Sequence, residues 1–226
     1  MKNKKVIPKV SNPRKVSKGP IKDKARTMNR LVRAVGRVVK RKGYSGLNGV
    51  NIATEAKVDR KLIYEYFGGV DQLVEEFIAQ NDFWKYKGKE AIEQLVKEPE
   101  KIDRNTITYL LQSQYEVLSK NKTLQKIIHW ELGDKNPTLR KIADNREEIG
   151  EKVFRIIDSD FEKANVDLRA ILALQIAGIY YLILHAESNG STFCGVDINE
   201  PEGKKRILNA MKDIVDYAYD KVETAK

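Results

Sequence analysis

From Met28 onward, apolar residues recur at three- and four-residue spacing. Met28, Leu31, Val32, Val35, Val38 and Val39 therefore share one face of a helix. Arg26, Arg30, Arg33, Arg37 and Lys40 fall largely on other faces. Gly43 ends the helix, as Gly does just past a C-terminus, and a short loop leads to Asn48, a residue type that caps helix N-termini. Ile52, Ala53 and Ala56 mark a second, very short helix. Asp59 caps a third that contains Leu62, Ile63, Tyr66 and Phe67 and ends at Gly68 and Gly69. Asp71 then opens a long helix with Leu73, Val74, Phe77 and Ile78 turned inward.

The pattern stays helical beyond this point. It predicts helices near 71–97, 103–119, 121–132, 137–163, 166–188 and 202–223, with breaks at Pro99 and Pro137. Pro137 suits a first helical turn, where the missing N–H costs nothing. The stretch 189–203 is the one long irregular segment, and neither a period-two run nor an internal repeat stands out. The expected fold class is all-α: an N-terminal three-helix helix-turn-helix unit followed by a larger helical bundle, about nine helices in all. The expected parts are a basic arm over 1–21, a helix-turn-helix domain over 22–70 and a larger helical domain over 71–226.

Charge sharpens this picture. Residues 1–70 hold 19 Lys or Arg against four acids, whereas the remaining residues are net acidic within a total of +10. A positive end on a mildly acidic body points to a polyanion met at that end. Residues 1–21 contain Pro8, Pro13 and Pro20 and too few apolar groups to fold alone, so they read as a flexible basic arm able to follow a nucleic-acid backbone. The most apolar run, Ala170 to Leu184, contains Gln175 and is shorter than a membrane span requires, so a buried helix and no membrane partner are expected. The single Cys194 and the absence of an apolar leader point to a reducing, cytoplasmic setting.

Two short helices joined by a tight turn and flanked by longer ones form a compact DNA-reading unit. The second short helix enters the major groove with its first-turn side chains leading. Here that helix begins Asp59-Arg60-Lys61. The ordered set Gly43-Tyr44, Ile52-Ala53, Ala56-Lys57-Val58, Ile63-Tyr64-Glu65-Tyr66-Phe67 and Leu73 resembles the TetR family of transcriptional regulators over roughly residues 24 to 78. The resemblance implies a sequence-specific, ligand-responsive repressor that binds double-stranded DNA as a homodimer on a near-palindromic operator. It implies DNA contacts from Arg60, Lys61, Tyr64 and Tyr66, while Lys57 and Asn48, which stand where the family carries other residue types, are further phosphate candidates on their own chemistry. The sequence also departs from the family pattern. Lys57 stands where a turn Gly is usual, Asp59 where Ser or Thr is usual, and Val70 where a phosphate-holding Lys is frequent. The alternative is a non-specific or architectural nucleic-acid binder that uses the basic arm.

In the C-terminal part, Leu172, Ile176, Ile179 and Ile183 form one stripe, and Ile207, Met211, Ile214, Val215, Ala218 and Val222 form another. In the resembling family the last two helices pair the subunits, so these stripes are the expected dimer interface. Tyr109, Tyr115, His129 and Trp130, with Phe154, Tyr180, Tyr181 and His185, are candidate walls of a pocket for a small apolar or aromatic effector. Enzymatic chemistry lacks support. There is no His-Glu-x-x-His, paired-Cys or phosphate-loop motif, so no catalytic residue, metal or cofactor is expected.

Overall fold

The stripe that begins at Met28 becomes the buried side of the first helix, α1 (Pro20–Lys42), in which Leu31 and Val35 are fully buried. We describe a computed structural model over residues 20–81, 89–190 and 192–225. After a 3-10 turn at Tyr44–Gly46 come α2 (Gly49–Ala56), α3 (Lys61–Phe67) and α4 (Val70–Asn81). The larger part contains α5 (Lys89–Lys97), α6 (Arg104–Lys120), α7 (Lys122–Gly133), α8 (Pro137–Lys163), α9 (Leu168–Asn189) and α10 (Pro201–Thr224). The ten helices among the described residues are accompanied by one isolated bridge, between Phe193 and Val196, so the fold is all-α. The arm over 1–21 lies almost wholly outside the described residues. So does the middle of the predicted helix 71–97, whose two ends are α4 and α5.

Several helix starts follow the capping rule, in which a short polar side chain accepts an N–H left unpaired in the first turn. Asn48 accepts from the Asn51 N–H at 2.9 Å, Asp103 from Thr106 at 2.8 Å and Asp167 from Ala170 at 2.9 Å. Asn136 caps α8 just before Pro137. The backbone hydrogen bond with Thr106 holds the Asp103 carboxyl below its ordinary range.

Two cores form. The first joins Leu31, Val35 and Val38 of α1 to Ile52, Ile63 and the inner face of α4, namely Leu73, Val74, Phe77 and Ile78. The second fills the body between α5, α6, α8, α9 and α10, around Tyr115, Leu118, Ile179 and Val215. Helix α7 belongs to both. Its Ile127 and Trp130 complete the first core, together with Leu139 and Ile142 of α8, while Leu124 and Ile128 enter the second. Trp130 stacks on Tyr44 with ring centroids 4.0 Å apart and planes 15° apart, and its indole N–H donates to Asp134 at 3.1 Å. Burial pushes the pKa of the Tyr44 phenol well above its ordinary value. Across the body, Arg104 of α6 ties α10 through Asp220 at 2.7 Å and Glu223 at 2.6 Å.

Loss of the large ring that joins head and body leaves a cavity, so Trp130→Ala is expected to lower the unfolding free energy by about 3–5 kcal/mol. Leu132→Ala, on the same helix but 69% exposed, is expected to change it by less than about 0.5 kcal/mol. Chemical denaturation followed by circular dichroism checks both.

Candidate nucleic-acid interface

Helix α2 ends where Lys57 takes the left-handed conformation, with φ 53° and ψ 51°. The turn therefore keeps the geometry that glycine would serve, at a conformational cost of about 1–2 kcal/mol for a residue with a Cβ. Arg30 of α1 stabilises this bend. Its Nη2 donates to the carbonyls of Ala56 at 2.6 Å and Lys57 at 3.0 Å. A cation at the C-terminal end of a helix also complements the helix dipole. Arg37 pairs with Glu55 of α2 at 2.7 Å, and Arg41 pairs with the same carboxylate. Lys42 donates to the Asn51 side chain at 2.7 Å, and Asn51 in turn donates to the Gly46 carbonyl at 2.8 Å. A charged side chain on a helix face ordinarily reads as solvated. Nothing in the local spacing signals that Arg30 reaches 26 residues along the chain.

This bracing fixes α3. The Asp59 carboxylate accepts the Lys61 N–H at 2.9 Å and sits 3.9 Å from the Lys61 ammonium, so its charge is engaged in the cap. Arg60 and Lys61 stand exposed on the first turn, and Tyr64 is 54% exposed. Tyr66 is half-buried, with the Lys24 ammonium of α1 5.1 Å from its ring centroid. Lys57 is exposed, and Asn48 is exposed with its side-chain oxygen committed to the cap of α2. A Cβ placed on Gly49 would lie 3.3 Å from Arg60 Cδ and 3.5 Å from Val70 Cγ2. The starts of α2 and α4 thus converge beneath the stem of Arg60. The result is an exposed surface of cations and phenols on a rigid frame, which suits phosphate contact and base-edge reading.

A cavity of about 220 Å³ opens in the body between α5, α6, α8 and α9. Of the eight predicted pocket residues, Phe154 and Tyr180 line it. The other six do not. Tyr115 is buried in the body core, Trp130 packs on the head, and Tyr109 and His129 are exposed. Tyr181 and His185 stack on each other outside it, with centroids 5.5 Å apart, and Phe193 against them. Aromatic spacing along a helix cannot reveal which face meets a void. The cavity's polar groups include Gln114, which donates to the Tyr180 hydroxyl at 3.0 Å, Arg146, which pairs with Glu131 at 2.7 Å, and Glu147.

The predicted interface stripes also face inward. Leu172, Ile179, Ile183, Met211, Val215, Ala218 and Val222 are buried within the chain, and Ile176 and Ile207 pack against the same core. Ile214 alone among them is exposed. The regular apolar stripe of each helix satisfies its own core first. The apolar surface left over is Leu174 (75% exposed), Tyr181, Ile214 and Tyr217.

No protein-family model matches the sequence, and no curated protein sequence matches it significantly. Solved structures do match. A TetR family transcription regulator from Marinobacter aquaeolei VT8 superposes with a TM-score of 0.57 at 13% identity, over 86% of this chain and 97% of that one. A putative fatty acid metabolism regulator of Clostridium perfringens gives 0.57 at 18% identity, over 83% and 97%. The transcriptional regulator FadR from Bacillus subtilis, solved in complex with stearoyl-CoA, gives 0.55 at 14% identity, over 84% and 96%. At such identities the likeness establishes the fold.

Arg30→Ala removes two bonds that hold the turn and is expected to cost about 1 kcal/mol of stability, since the site is partly exposed. Arg60→Ala and Lys61→Ala are expected to stay within about 0.5 kcal/mol of the parent. Thermal unfolding of the three variants separates frame from contact surface.

Proposed function

We propose that this chain, which has the fold of the TetR-type regulators, is a sequence-specific DNA-binding transcriptional regulator acting in the cytoplasm. It works as a homodimer on a near-palindromic operator, in the repressing mode, with a small molecule controlling release. The observation that carries this reading is the first turn of α3. Arg60 and Lys61 stand exposed there on a helix held by Asp59, while Arg30 anchors the preceding turn. Arg60 reads guanine edges, a contact worth about 1–3 kcal/mol of discrimination at each base. Lys61, Lys57, Asn48, Tyr64 and Tyr66 hold phosphates and set register.

Pairing is supported by the surface of α9 and α10. Helix α9 is long and apolar enough to cross a membrane, yet only 28% of that apolar stretch is buried within the chain. Leu174 and Tyr181 on α9, with Ile214 and Tyr217 on α10, leave an apolar face that a second copy covers across a two-fold axis. Two-fold pairing presents two copies of α3 to successive major grooves. The cavity in the body is the effector site. It acts by favouring one spacing of the two heads over another. The solved regulators that share the fold support a non-enzymatic role.

On its preferred duplex, Arg60→Ala is expected to weaken binding by about 5- to 150-fold, the equivalent of the base-contact energy above, with helicity unchanged. Unaltered affinity of both Arg60→Ala and Lys61→Ala in a gel-shift titration would remove α3 as the reading element. Leu174→Glu combined with Ile214→Glu is expected to give a folded monomer by light scattering, whereas Met211→Glu is expected to unfold the body. A dimer that survives the double change contradicts the α9–α10 interface.

A further inference from the structure

We infer that the body cavity binds a small apolar monocarboxylate, whose carboxylate replaces Glu131 on the Arg146 guanidinium. The inference deepens the reading of this cavity as the effector site and rests on it. The walls are mostly apolar, with Leu111, Val153, Phe154, Leu172 and Ile176 among them. The cavity has a volume of about 220 Å³. It suits a short chain or a single substituted ring and is smaller than the pockets that take drug-sized ligands.

The ion pair decides the charge of the ligand. Arg146 lies near the middle of α8 with its side chain only 11% exposed, and its Nη1 donates to Glu131 at 2.7 Å. Glu131 is 21% exposed and lies two residues from the end of α7, beside the solvated Leu132. A partly buried ion pair is a costly way to line an apolar void, and removing one partner leaves the other charge uncompensated. A cationic ligand would have to take Glu131 and strip the carboxylate from the more buried guanidinium. An anionic ligand instead takes the guanidinium and lets Glu131, the more exposed and terminal partner, turn to water. Glu147 lines the rim but is itself exposed, so its charge is already solvated. In the unliganded protein Glu131 is thus an internal stand-in for the ligand's head group.

The exchange has a built-in reporter. Glu131 follows Trp130, the residue that stacks on Tyr44 of the head. Release of Glu131 frees the last turn of α7 next to that stack. The chain has two tryptophans, so Trp84→Phe isolates the Trp130 signal.

The test is calorimetric titration of the full chain, free of DNA, with octanoate, octylammonium and octan-1-ol, with Trp130 emission followed in Trp84→Phe. Octanoate is expected to bind at least tenfold more tightly than the other two and to shift the Trp130 emission. Arg146→Met is expected to abolish octanoate binding. Glu131→Gln is expected to strengthen it about fivefold or more, because the internal competitor is gone. A pair that merely supports the fold would give the opposite sign. Preferred or equal binding of octylammonium overturns the proposal, as does binding of none of the three. So does octanoate affinity that is unchanged or reduced in Glu131→Gln, a variant that keeps the test decisive if Arg146→Met proves unfolded. DNA binding by the unliganded chain is measured separately. Its absence would overturn the regulator reading, while the carboxylate result would stand by itself.

Discussion

A twelve-residue helix, α7, has to bury apolar side chains on two of its sides at once, and much of the molecule's organisation follows from that constraint. Ile127 and Trp130 close the core of the N-terminal head, and Leu124 and Ile128 close the core of the body. Neither core is complete without it. The Trp130–Tyr44 stack is therefore a structural seam between head and body, and Glu131, one residue further on, reaches the body cavity. Close-packed interiors shift between discrete arrangements rather than yielding continuously, so a change at Glu131 has a short physical route to the head.

The head shows how a reading element is held rigid at modest energetic cost. A seven-residue helix such as α3 is too short to be stable in isolation. It persists because Ile63 is fully buried, Asp59 caps its first turn and Arg30 holds the preceding bend. That bracing leaves the Lys61 ammonium with only its cap-side contact to Asp59, and the Arg60 guanidinium beyond a stem that packs over Gly49. Their charged ends are free for the proposed contact with DNA.

Much of the head was legible in the sequence because local rules decide it. The stripe from Leu31 to Val39, the Asn48 and Asp59 caps and the Gly68 stop each act within a few residues, and the structure places all of them as the pattern implies. Lys57 in a glycine's place is read correctly only with coordinates, since nothing in the sequence tells whether the turn bends differently or the lysine adopts the left-handed conformation. In the body, the apolar periodicity of α9 and α10 correctly marks helices, but periodicity cannot tell an inner face from an interface. The most regular stripe, Met211-Val215-Ala218-Val222, turns out to be core, and the outward face is the sparser set Leu174, Tyr181, Ile214 and Tyr217. The cavity was hidden for a related reason. Its distinguishing pair joins Glu131 to Arg146 across two helices, whereas the conspicuous aromatics Tyr109, His129 and Tyr181 lie on the outside.

In the proposed mode, two copies of this chain read one two-fold DNA site through α3. Selection of random duplex DNA on the purified 226-residue chain, read at two salt concentrations, is the decisive measurement. The expected result is an enriched near-palindrome with half-sites about one helical turn apart, bound less tightly at the higher salt. Binding with no enriched sequence at either salt would contradict it and would assign the basic end to non-specific contact with nucleic acid.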